Sequence, residues 1–528
     1  MGNLRLHLDP TLGHAAGPAP AEMAEGFASD GTPLALLRDP ILASLPPPPP
    51  TPAPAVNWGE ALASLHGTLA DMVPLLQWGF LLYFVVMFGG GMLLNLAALA
   101  RFSRRQSEAG AAAFPPATDL ARHEPPVSVI VPAFNDAAAV AATVRAVREL
   151  AYSELEIIIV NDGSRDQTLE LLMREFSLMP FSEAYRDRRQ TRRVRGIYAS
   201  TLFPRLRLVD KEHGGRADAL NAGINCARYP LFCPVDAGSV LQRDSLRVLV
   251  RPYLEDADTV AACSSVRPGE QGEMPAGGAR LPGALLGMFQ VVERMRAFLF
   301  AHLLGFRNSL LFVPAAFIVF RKESVVAAGA YRTDAVNGDM ELVTRLHRLL
   351  LNEGKPYRIA YVPDPLCRKA MPDNWRGVRE QRMRWHEGLS QALEMNRELF
   401  RARGPVGWLA FPLVLLFEWL GPLVEVVAYL TMTLLWLVGA ISLPALGTFM
   451  LAAVGLGILL SMSGLLREEM GFRPYPRIAS VLALALVAVL ENLGYRQLTA
   501  FWRALGLLGG LLPAGASAMG GVLRRQVN

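Results

Sequence analysis

VSVIVPAFNDAAAVAATVRAVREL, residues 127–150, and LEIIIVNDGS, residues 155–164, are the stretches that decide the fold of this chain. The first begins as a strand of apolar residues (127–134) and continues with helical apolar spacing (137–150), and the second opens with another apolar strand (155–160). Short apolar strands, each followed by a helix, predict an α/β domain with a mostly parallel sheet. Ligands of such sheets bind at the carboxyl ends of the strands.

The same alternation continues along the chain, with a strand at 206–210, a helix at 215–228 and a strand at 231–235. Asp162 and Asp236 follow strands directly, which places both carboxylates at the predicted ligand-binding edge. The sequence VIVPAFND contains no GxGxxG, and this argues against a dinucleotide-binding dehydrogenase. Acids at strand ends, with cations nearby, favour binding of a sugar nucleotide.

Apolar residues are concentrated at the two ends of this alternating block. The chain is 52% apolar with a mean hydropathy of +0.27, residues 74–100 are one apolar run, and residues 405–466 contain no Lys or Arg. A further apolar run covers 478–495. Because about 20 apolar residues cross a bilayer as a helix, we predict one transmembrane helix at 72–100 and three or four at 404–500.

Charge and cysteine content indicate the orientation and the compartment. Three arginines follow the first span, Arg101, Arg104 and Arg105, and this predicts an external N-terminus and a cytoplasmic central block in a bacterial inner membrane. The four cysteines have no metal-binding spacing and fit a reducing compartment. The net charge of +5 comes from scattered basic residues, so we expect no nucleic-acid partner.

The other boundaries follow from composition. We predict a disordered Ala/Pro-rich segment (1–70), a linker (101–126), a cytoplasmic domain (127–403) and a C-terminal tail (501–528). Within 405–466 two arrangements stay open: two spans with a re-entrant piece around Pro422, or three tight spans. Residues 283–306 mix apolar and charged residues, which fits an interfacial amphipathic helix or a buried helix with a polar edge.

From Val127 to Trp385 the chain resembles the membrane-bound processive family 2 glycosyltransferases, which include cellulose synthase, hyaluronan synthase and poly-N-acetylglucosamine synthase. VPAFND and NDGS resemble the nucleotide-binding elements of this family, and KEHGGRADALNAG resembles its KxGGKxxALN element. VDAGS stands in the place of its DxD motif, NGDMEL in the place of GED or TED, and QRMRW matches QxxRW in full. The resemblance implies a GT-A-like domain flanked by transmembrane helices.

The resemblance also implies roles for individual residues. The general base would be Asp339, and Trp385 would stack on the acceptor sugar. The residues expected to bind the nucleotide are Asp136, Asp162, Lys211, Asp236, Gln381 and Arg384. Asp236 would also hold Mg²⁺ or Mn²⁺.

Two positions depart from the family pattern. Gly238 replaces the second acid of DxD, so we expect any metal to be held weakly, and Gly338 replaces the acid before Asp339. Glu341 is expected to pair with Arg345 across one helical turn. Asp339 itself has an alternative role as an acidic residue at a helix N-terminus.

These expectations describe an inverting enzyme that transfers a sugar from a UDP-sugar to a growing β-linked polysaccharide at the lipid bilayer, coupled to export. Its implied partners are the UDP-sugar, a polysaccharide or lipid acceptor, and other polysaccharide-export subunits. Two alternatives stay open from the sequence: a non-processive lipid glycosyltransferase, and a degenerate nucleotide-binding scaffold of a polysaccharide machine.

Overall fold

The structure is a computed structural model, and it describes residues 58–109, 124–181, 185, 189–268, 281–305, 308–312, 316–472, 475 and 477–511. The chain divides into an N-terminal unit, 1–64, and a unit, 65–528, which holds the sheet and the site described below. The segment predicted to be disordered lies outside the described residues up to residue 57, and its last part is helical from Trp58 onward. Most of the predicted tail lies outside them as well.

The described strands form one sheet of ten strands, and these are β1 Val127–Ala133, β2 Leu155–Asp162, β3 Leu178–Pro180, β4 Val194–Ser200, β5 Leu206–Lys211, β6 Leu231–Pro234, β7 Ser239–Leu241, β8 Thr259–Pro268, β9 Ala316–Arg321 and β10 Arg358–Lys369. Their order in the sheet is β3-β4-β5-β2-β1-β6-β9-β8-β10-β7. The adjacent strands β5, β2, β1 and β6 are parallel, as are β8 and β10. β4, β9 and β7 run antiparallel to their neighbours, so the sheet is mostly parallel with three antiparallel strands, of which β9 lies inside the sheet.

Helices cover both faces of the sheet and continue into an apolar bundle. They are α1 Trp58–Phe84, α2 Gly90–Ala109, α3 Ala137–Arg148, α4 Thr168–Glu175, α5 Arg216–Cys226, α6 Ser245–Glu255, α7 Leu285–Gly305, α8 Lys322–Ala327, α9 Gly338–Glu353, α10 Trp375–Met395, α11 Phe411–Leu413, α12 Gly421–Leu437, α13 Leu443–Phe472, α14 Ile478–Leu490 and α15 Tyr495–Leu511. The π-helical turns Val85–Gly89, Val406–Ala410 and Val414–Trp419 interrupt the long apolar helices.

The two central strands divide the core into two layers. Ile130 and Ile158 pack with α5, α9 and α10 on one face, while Val129, Val131 and Ile159 pack with α3, α4 and α6 on the other. Each of these five side chains is fully buried, and each burial contributes about 1.5–3 kcal/mol to the free energy of unfolding. A one-residue shift in strand register would exchange the two faces, so burial on both sides fixes the register. The predicted α/β fold with a GT-A-like sheet is confirmed.

Three described helical segments are long and apolar enough to cross a membrane: Asp71–Ala97, Val406–Leu437 and Leu443–Met470. A bent pair, Ile478–Leu493 with Tyr495–Gly510, adds a fourth if it is counted as one crossing. Among the described residues, the C-terminal region therefore has two or three candidate crossings, where three or four crossings were predicted. The first of its spans continues through Pro422, so two long spans occupy the region for which three tight ones were the alternative.

Helix α7 joins the α/β domain to the apolar bundle. Its residues Val291, Val292 and Met295 are buried against Leu484 and Val487 of α14. The helix thus packs on the bundle as a buried helix with a polar edge, one of the two arrangements expected from its sequence.

Candidate active site

Asp162 organises the loop between β5 and α5. Its carboxylate accepts hydrogen bonds from the backbone N–H groups of Gly214 (3.0 Å) and Gly215 (2.7 Å). Lys211 Nζ lies 2.5 Å from Asp162 Oδ1 and 2.5 Å from Asp218 Oδ2, and the Lys211 side chain has no exposed surface. Lys211 therefore bridges two buried carboxylates. This position leaves it no surface for the direct diphosphate contact that the sequence predicted.

Three exposed residues, Phe134, Asn135 and Asp136, follow β1 and lie beside this loop. The ring of Phe134 stacks on His213 with 4.3 Å between the centroids. Asn135 has a φ of +48°, accepts from the N–H of Arg165 and donates its own N–H to Ser164 Oγ. The next residue, Asp136, is exposed at the N-terminus of α3.

Arg216, the first residue of α5, connects two acids that lie far apart in sequence. Its Nε donates to Asp236 Oδ1 at 2.8 Å, and its Nη2 donates to Asp339 Oδ2 at 3.0 Å. The second oxygen of Asp236 accepts from Lys369 Nζ at 2.9 Å. Lys369 ends β10 and pairs with Ser239 of β7, which brings this lysine to the VDAGS turn.

The charges in this cluster keep Asp236 ionised. Burial would raise the pKa of the Asp236 carboxyl, but the positive charges of Arg216 and Lys369 and their hydrogen bonds hold the pKa well below its usual range. The Asp236 side chain keeps about a third of its surface open to the cavity.

Asp339 has one further partner, which the sequence analysis did not anticipate. The Tyr331 hydroxyl donates to Asp339 Oδ1 at 2.9 Å, and burial followed by the Asp339 charge raises the pKa of Tyr331 well above its usual value. A Cβ at residue 338 would lie 3.1 Å from the Tyr331 ring, so glycine at 338 gives that ring room. Asn221 of α5 fixes Tyr331 by exchanging two hydrogen bonds with its backbone.

Asp339 belongs to the first turn of α9, but it does not cap that helix. The cap is Asn337, whose side chain accepts from the N–H of Met340 at 3.3 Å. Glu341 pairs with Arg345 at 2.9 Å, as its spacing predicted. Asp339 is thus the carboxylate that α9 presents to the cavity, between Tyr331 and Arg216.

The QRMRW motif lies on α10. Gln381 and Trp385 line the same cavity as Asp339, and Trp385 contacts the ring of Phe312 edge-on at 5.5 Å. Arg382 also lines this cavity and is 9% exposed. Arg384, which was predicted to clamp a diphosphate, is exposed and is not among the described residues that line the cavity. One helical turn separates Gln381 from Trp385, and Arg384 projects from a different face.

The cavity has a volume of about 600 Å³ and continues from the sheet edge into the apolar bundle. At its inner end it is lined by Glu425 and Arg496, which are paired at 3.0 Å, and by Arg296, which is paired with Glu491 at 2.7 Å. The π-helical turns Val85–Gly89 and Val414–Trp419 contribute Met87, Phe417 and Glu418 to its wall. Such turns are frequent at functional sites. Ionisable groups at membrane depth typically line a polar pathway.

A divalent metal does not fit the donors at Asp236. Both carboxylate oxygens already accept from cations, and the second acid of a DxD motif is missing because position 238 is glycine. Gly238 has a φ of +76°, which disfavours aspartate there, and its N–H donates to Thr143 Oγ1. Within the described parts of the chain, no three His, Cys, Asp or Glu side chains stand together as a metal site. At the position of the DxD motif the protein therefore offers the predicted Mg²⁺ or Mn²⁺ one carboxylate, Asp236, which is already paired with two cations.

Fold and site together define a membrane-associated α/β protein with acids and cations at the carboxyl edge of its sheet. The family model for Glycosyl transferase family 2 matches residues 128–326, and the model for Glycosyl transferase family group 2 matches residues 235–467. The chain belongs to the family 2 glycosyltransferases. The resemblance predicted from its motifs is confirmed.

The chain is also similar to several named proteins. Poly-beta-1,6-N-acetyl-D-glucosamine synthase from Staphylococcus aureus (strain COL) is 25% identical over 274 residues, which are 51% of this chain and 55% of that protein. The synthase of the same name from Staphylococcus epidermidis is 25% identical over 275 residues. The chain spans about half the length of these relatives. A solved mannosyltransferase from Pyrobaculum calidifontis, in complex with GDP-Man and Mn²⁺, is 20% identical with a TM-score of 0.48, covering 80% of this chain and 99% of that one.

Proposed function

We propose that this protein is an inverting membrane hexosyltransferase that transfers a sugar from a UDP-sugar to a polysaccharide or lipid acceptor. The observation that carries the proposal is that one cavity contains Arg216, Asp236, Asp339 and Trp385. A cation for the leaving group, a carboxylate for the acceptor hydroxyl and an aromatic face for a sugar ring are the groups that this reaction requires.

The donor would lie along the carboxyl edge of the sheet. The uracil and ribose would contact the surface formed by Phe134, Asp136 and the loop that Asp162 organises. The diphosphate would face Arg216 at the N-terminus of α5, where the guanidinium and the helix dipole both favour negative charge. Gln381 would contact the diphosphate from α10.

The chemical step is a single displacement. Asp339 takes the proton from an acceptor hydroxyl, and that oxygen attacks the anomeric carbon while the bond to the phosphate oxygen breaks. UDP leaves with the bonding electron pair, and Arg216 compensates its charge. Because no covalent sugar–enzyme intermediate forms, the configuration at the anomeric carbon inverts, and a UDP-α-sugar gives a β-linkage.

The inner part of the cavity supports a long acceptor. Trp385 and Asp339 line the same cavity as Glu425 and Arg496, so a chain stacked on Trp385 could extend among Glu425, Arg496 and their neighbours. We therefore propose a growing polysaccharide as the leading acceptor, with secretion through the bundle and with export subunits as further partners. A catalytic domain in the cytoplasm and an inner-membrane location belong to the same proposal.

The test is incubation of the purified full-length protein, in membranes, with a panel of radiolabelled UDP-sugars. UDP-N-acetylglucosamine comes first in the panel because the matched staphylococcal proteins are named for that sugar. Polymer supports the leading form, and one sugar on a lipid supports a lipid glycosyltransferase. UDP binding without any product would support the degenerate scaffold and contradict an enzyme.

Trp385→Ala should reduce sugar transfer about tenfold, since the aromatic face contributes roughly 1.4 kcal/mol to holding the acceptor. The affinity for UDP should change by less than about twofold, because the ring does not contact the phosphates. Steady-state rates and UDP binding, measured on the same preparation, separate the two effects.

The matched control is Trp375→Ala on the same helix, whose side chain is 48% exposed and is not among the described cavity residues. The control should keep the wild-type rate. If Trp385→Ala transfers sugar at the wild-type rate, Trp385 does not bind the acceptor. If the wild type produces only a glycolipid with a single sugar, the enzyme is not processive.

A further inference from the structure

We propose that Lys369, together with Arg216, takes the place of a divalent cation at the donor diphosphate, so that this protein binds UDP without added metal. The inference rests on the proposed function, since it concerns the same diphosphate. It goes beyond that function by assigning the metal's electrostatic role to residues of the chain.

The position of Lys369 provides the geometric argument. Its ammonium lies 2.9 Å from Asp236 Oδ2, it lines the cavity, and 43% of its side chain is exposed. An ammonium group has three N–H donors and can act as a point charge for phosphate. One donor can hold Asp236 while the others reach a phosphate oxygen. The resulting carboxylate–ammonium–phosphate bridge has the same order as the carboxylate–metal–phosphate bridge of a DxD enzyme.

The charges of the cluster favour this substitution. Asp236 and Asp339 contribute two negative charges, and Arg216 and Lys369 contribute two positive ones, so the described cluster is neutral before a substrate binds. A divalent ion would have to displace both cations from Asp236 or remain beside them against charge repulsion. A diphosphate can instead contact the exposed sides of both cations.

The local backbone makes the arrangement specific to this chain. At φ +76°, position 238 suits glycine, and an aspartate there would be strained. Lys369 of β10 pairs with Ser239 of β7, and Ser239 directly follows Gly238 in the sequence. This strand pairing holds the lysine beside the turn. The turn that lacks the second acid of the DxD motif is therefore the turn beside which Lys369 lies. We infer that the ammonium group of this lysine replaces the metal ion that the missing carboxylate would have helped to bind.

The experiment measures UDP binding to the full-length wild type in lipid nanodiscs, with EDTA and with Mn²⁺ or Mg²⁺. We expect the dissociation constants with and without metal to agree within about threefold. Lys369→Gln should weaken UDP binding in EDTA at least tenfold, near the lower end for one hydrogen bond to a charged group. The control Lys355→Gln removes an exposed lysine paired with Glu353 at the other end of α9 and should bind UDP like the wild type.

The outcomes separate this inference from the proposed function. If the wild type binds UDP only with Mn²⁺ or Mg²⁺, the inference is wrong and the proposed function stands. Undiminished binding by Lys369→Gln would also overturn the inference. No UDP binding under any condition contradicts the proposed function itself. The metal titration of the wild type requires no substitution, so it decides the question even if Lys369→Gln is unstable.

Discussion

Asp339→Asn should lower the rate of sugar transfer at least about 10²-fold, the lower end for loss of a general base, while UDP binding is kept. Asparagine has nearly the same shape, and its amide oxygen can still accept from Arg216 while its amide NH2 faces the Tyr331 hydroxyl, but it cannot take the proton of an acceptor hydroxyl. UDP release at saturating UDP-sugar reports the rate, and UDP titration of the same preparation reports binding.

Asp334→Asn is the matched control, because Asp334 precedes the same helix, is 58% exposed and pairs only at the surface with Arg332. We expect this control to have the wild-type rate. A near-normal rate in Asp339→Asn would show that the carboxylate is a structural acid of the first turn of α9. Since Asn337 already caps that helix, the structure offers Asp339 no capping role.

The second large effect concerns Glu293, a buried acid of α7 that connects three helices. It accepts from Arg382 Nε of α10 at 3.0 Å and from the Tyr495 hydroxyl of α15 at 2.8 Å, and it pairs with Arg503 of α15. Burial would raise the pKa of Glu293, but Arg382 and Arg503 hold it far below its usual range. The carboxylate is therefore ionised at neutral pH. Its stabilising contribution is fully present above the ordinary pKa of a glutamate and is lost progressively as the pH falls from there through the lowered pKa.

Glu293→Gln should destabilise the protein by about 3–5 kcal/mol, the usual cost of leaving a buried ion pair with one partner. At roughly 2 °C per kcal/mol, the midpoint of thermal unfolding in detergent should fall by about 6 °C or more. Sugar transfer should fall as well, because Arg382 lies within the QRMRW motif and its loss of support displaces Gln381 and Trp385.

Glu175→Gln supplies the comparison for Glu293. Glu175 pairs with Arg145 at 2.6 Å, but the arginine side chain is 56% exposed. A solvent-exposed pair contributes about 0–1 kcal/mol, so this variant should unfold within roughly 2 °C of the wild type. Equal unfolding midpoints for the two variants would contradict the role given to the buried cluster.

The strands and the acids at their ends could be predicted because both depend on local sequence. The apolar run at 127–134 identifies β1, and the turn at Asp162 follows a second run of the same kind. The carboxyl ends of parallel strands meet at one edge, so the positions of Asp162 and Asp236 followed from the order of the elements. The placement of Asp339 followed from the family resemblance alone.

The cations of the site were harder to predict, because burial and pairing depend on distant parts of the chain. Lys211 appears in a motif beside a glycine-rich loop, but it is fully buried and pairs with Asp162 and Asp218. Lys369 belongs to no motif. It reaches Asp236 only through the pairing of β10 with β7, although the rarity of lysine in this chain could have singled it out.

The two arginines of QRMRW show the same limit. Sequence spacing gives the helix but not its rotation, and the rotation determines that Arg382 faces the cavity while Arg384 is exposed. The partner that fixes this rotation, Glu293, is distant in sequence and lies on a helix whose role was left open. Position 238 has the same limit. The sequence shows that glycine replaces an acid there, but not that the backbone has a positive φ, which disfavours an aspartate at this position.

The anomeric configuration of the bond formed from a UDP-α-sugar tests the central claim most directly. In the proposed mechanism Asp339 acts as the base, and Asp236 is held by Arg216 and Lys369 and does not attack the sugar. A single displacement follows, so NMR of the product should show a β-linkage. An α-linked product, or no transfer from any UDP-sugar by the wild type, would contradict the account.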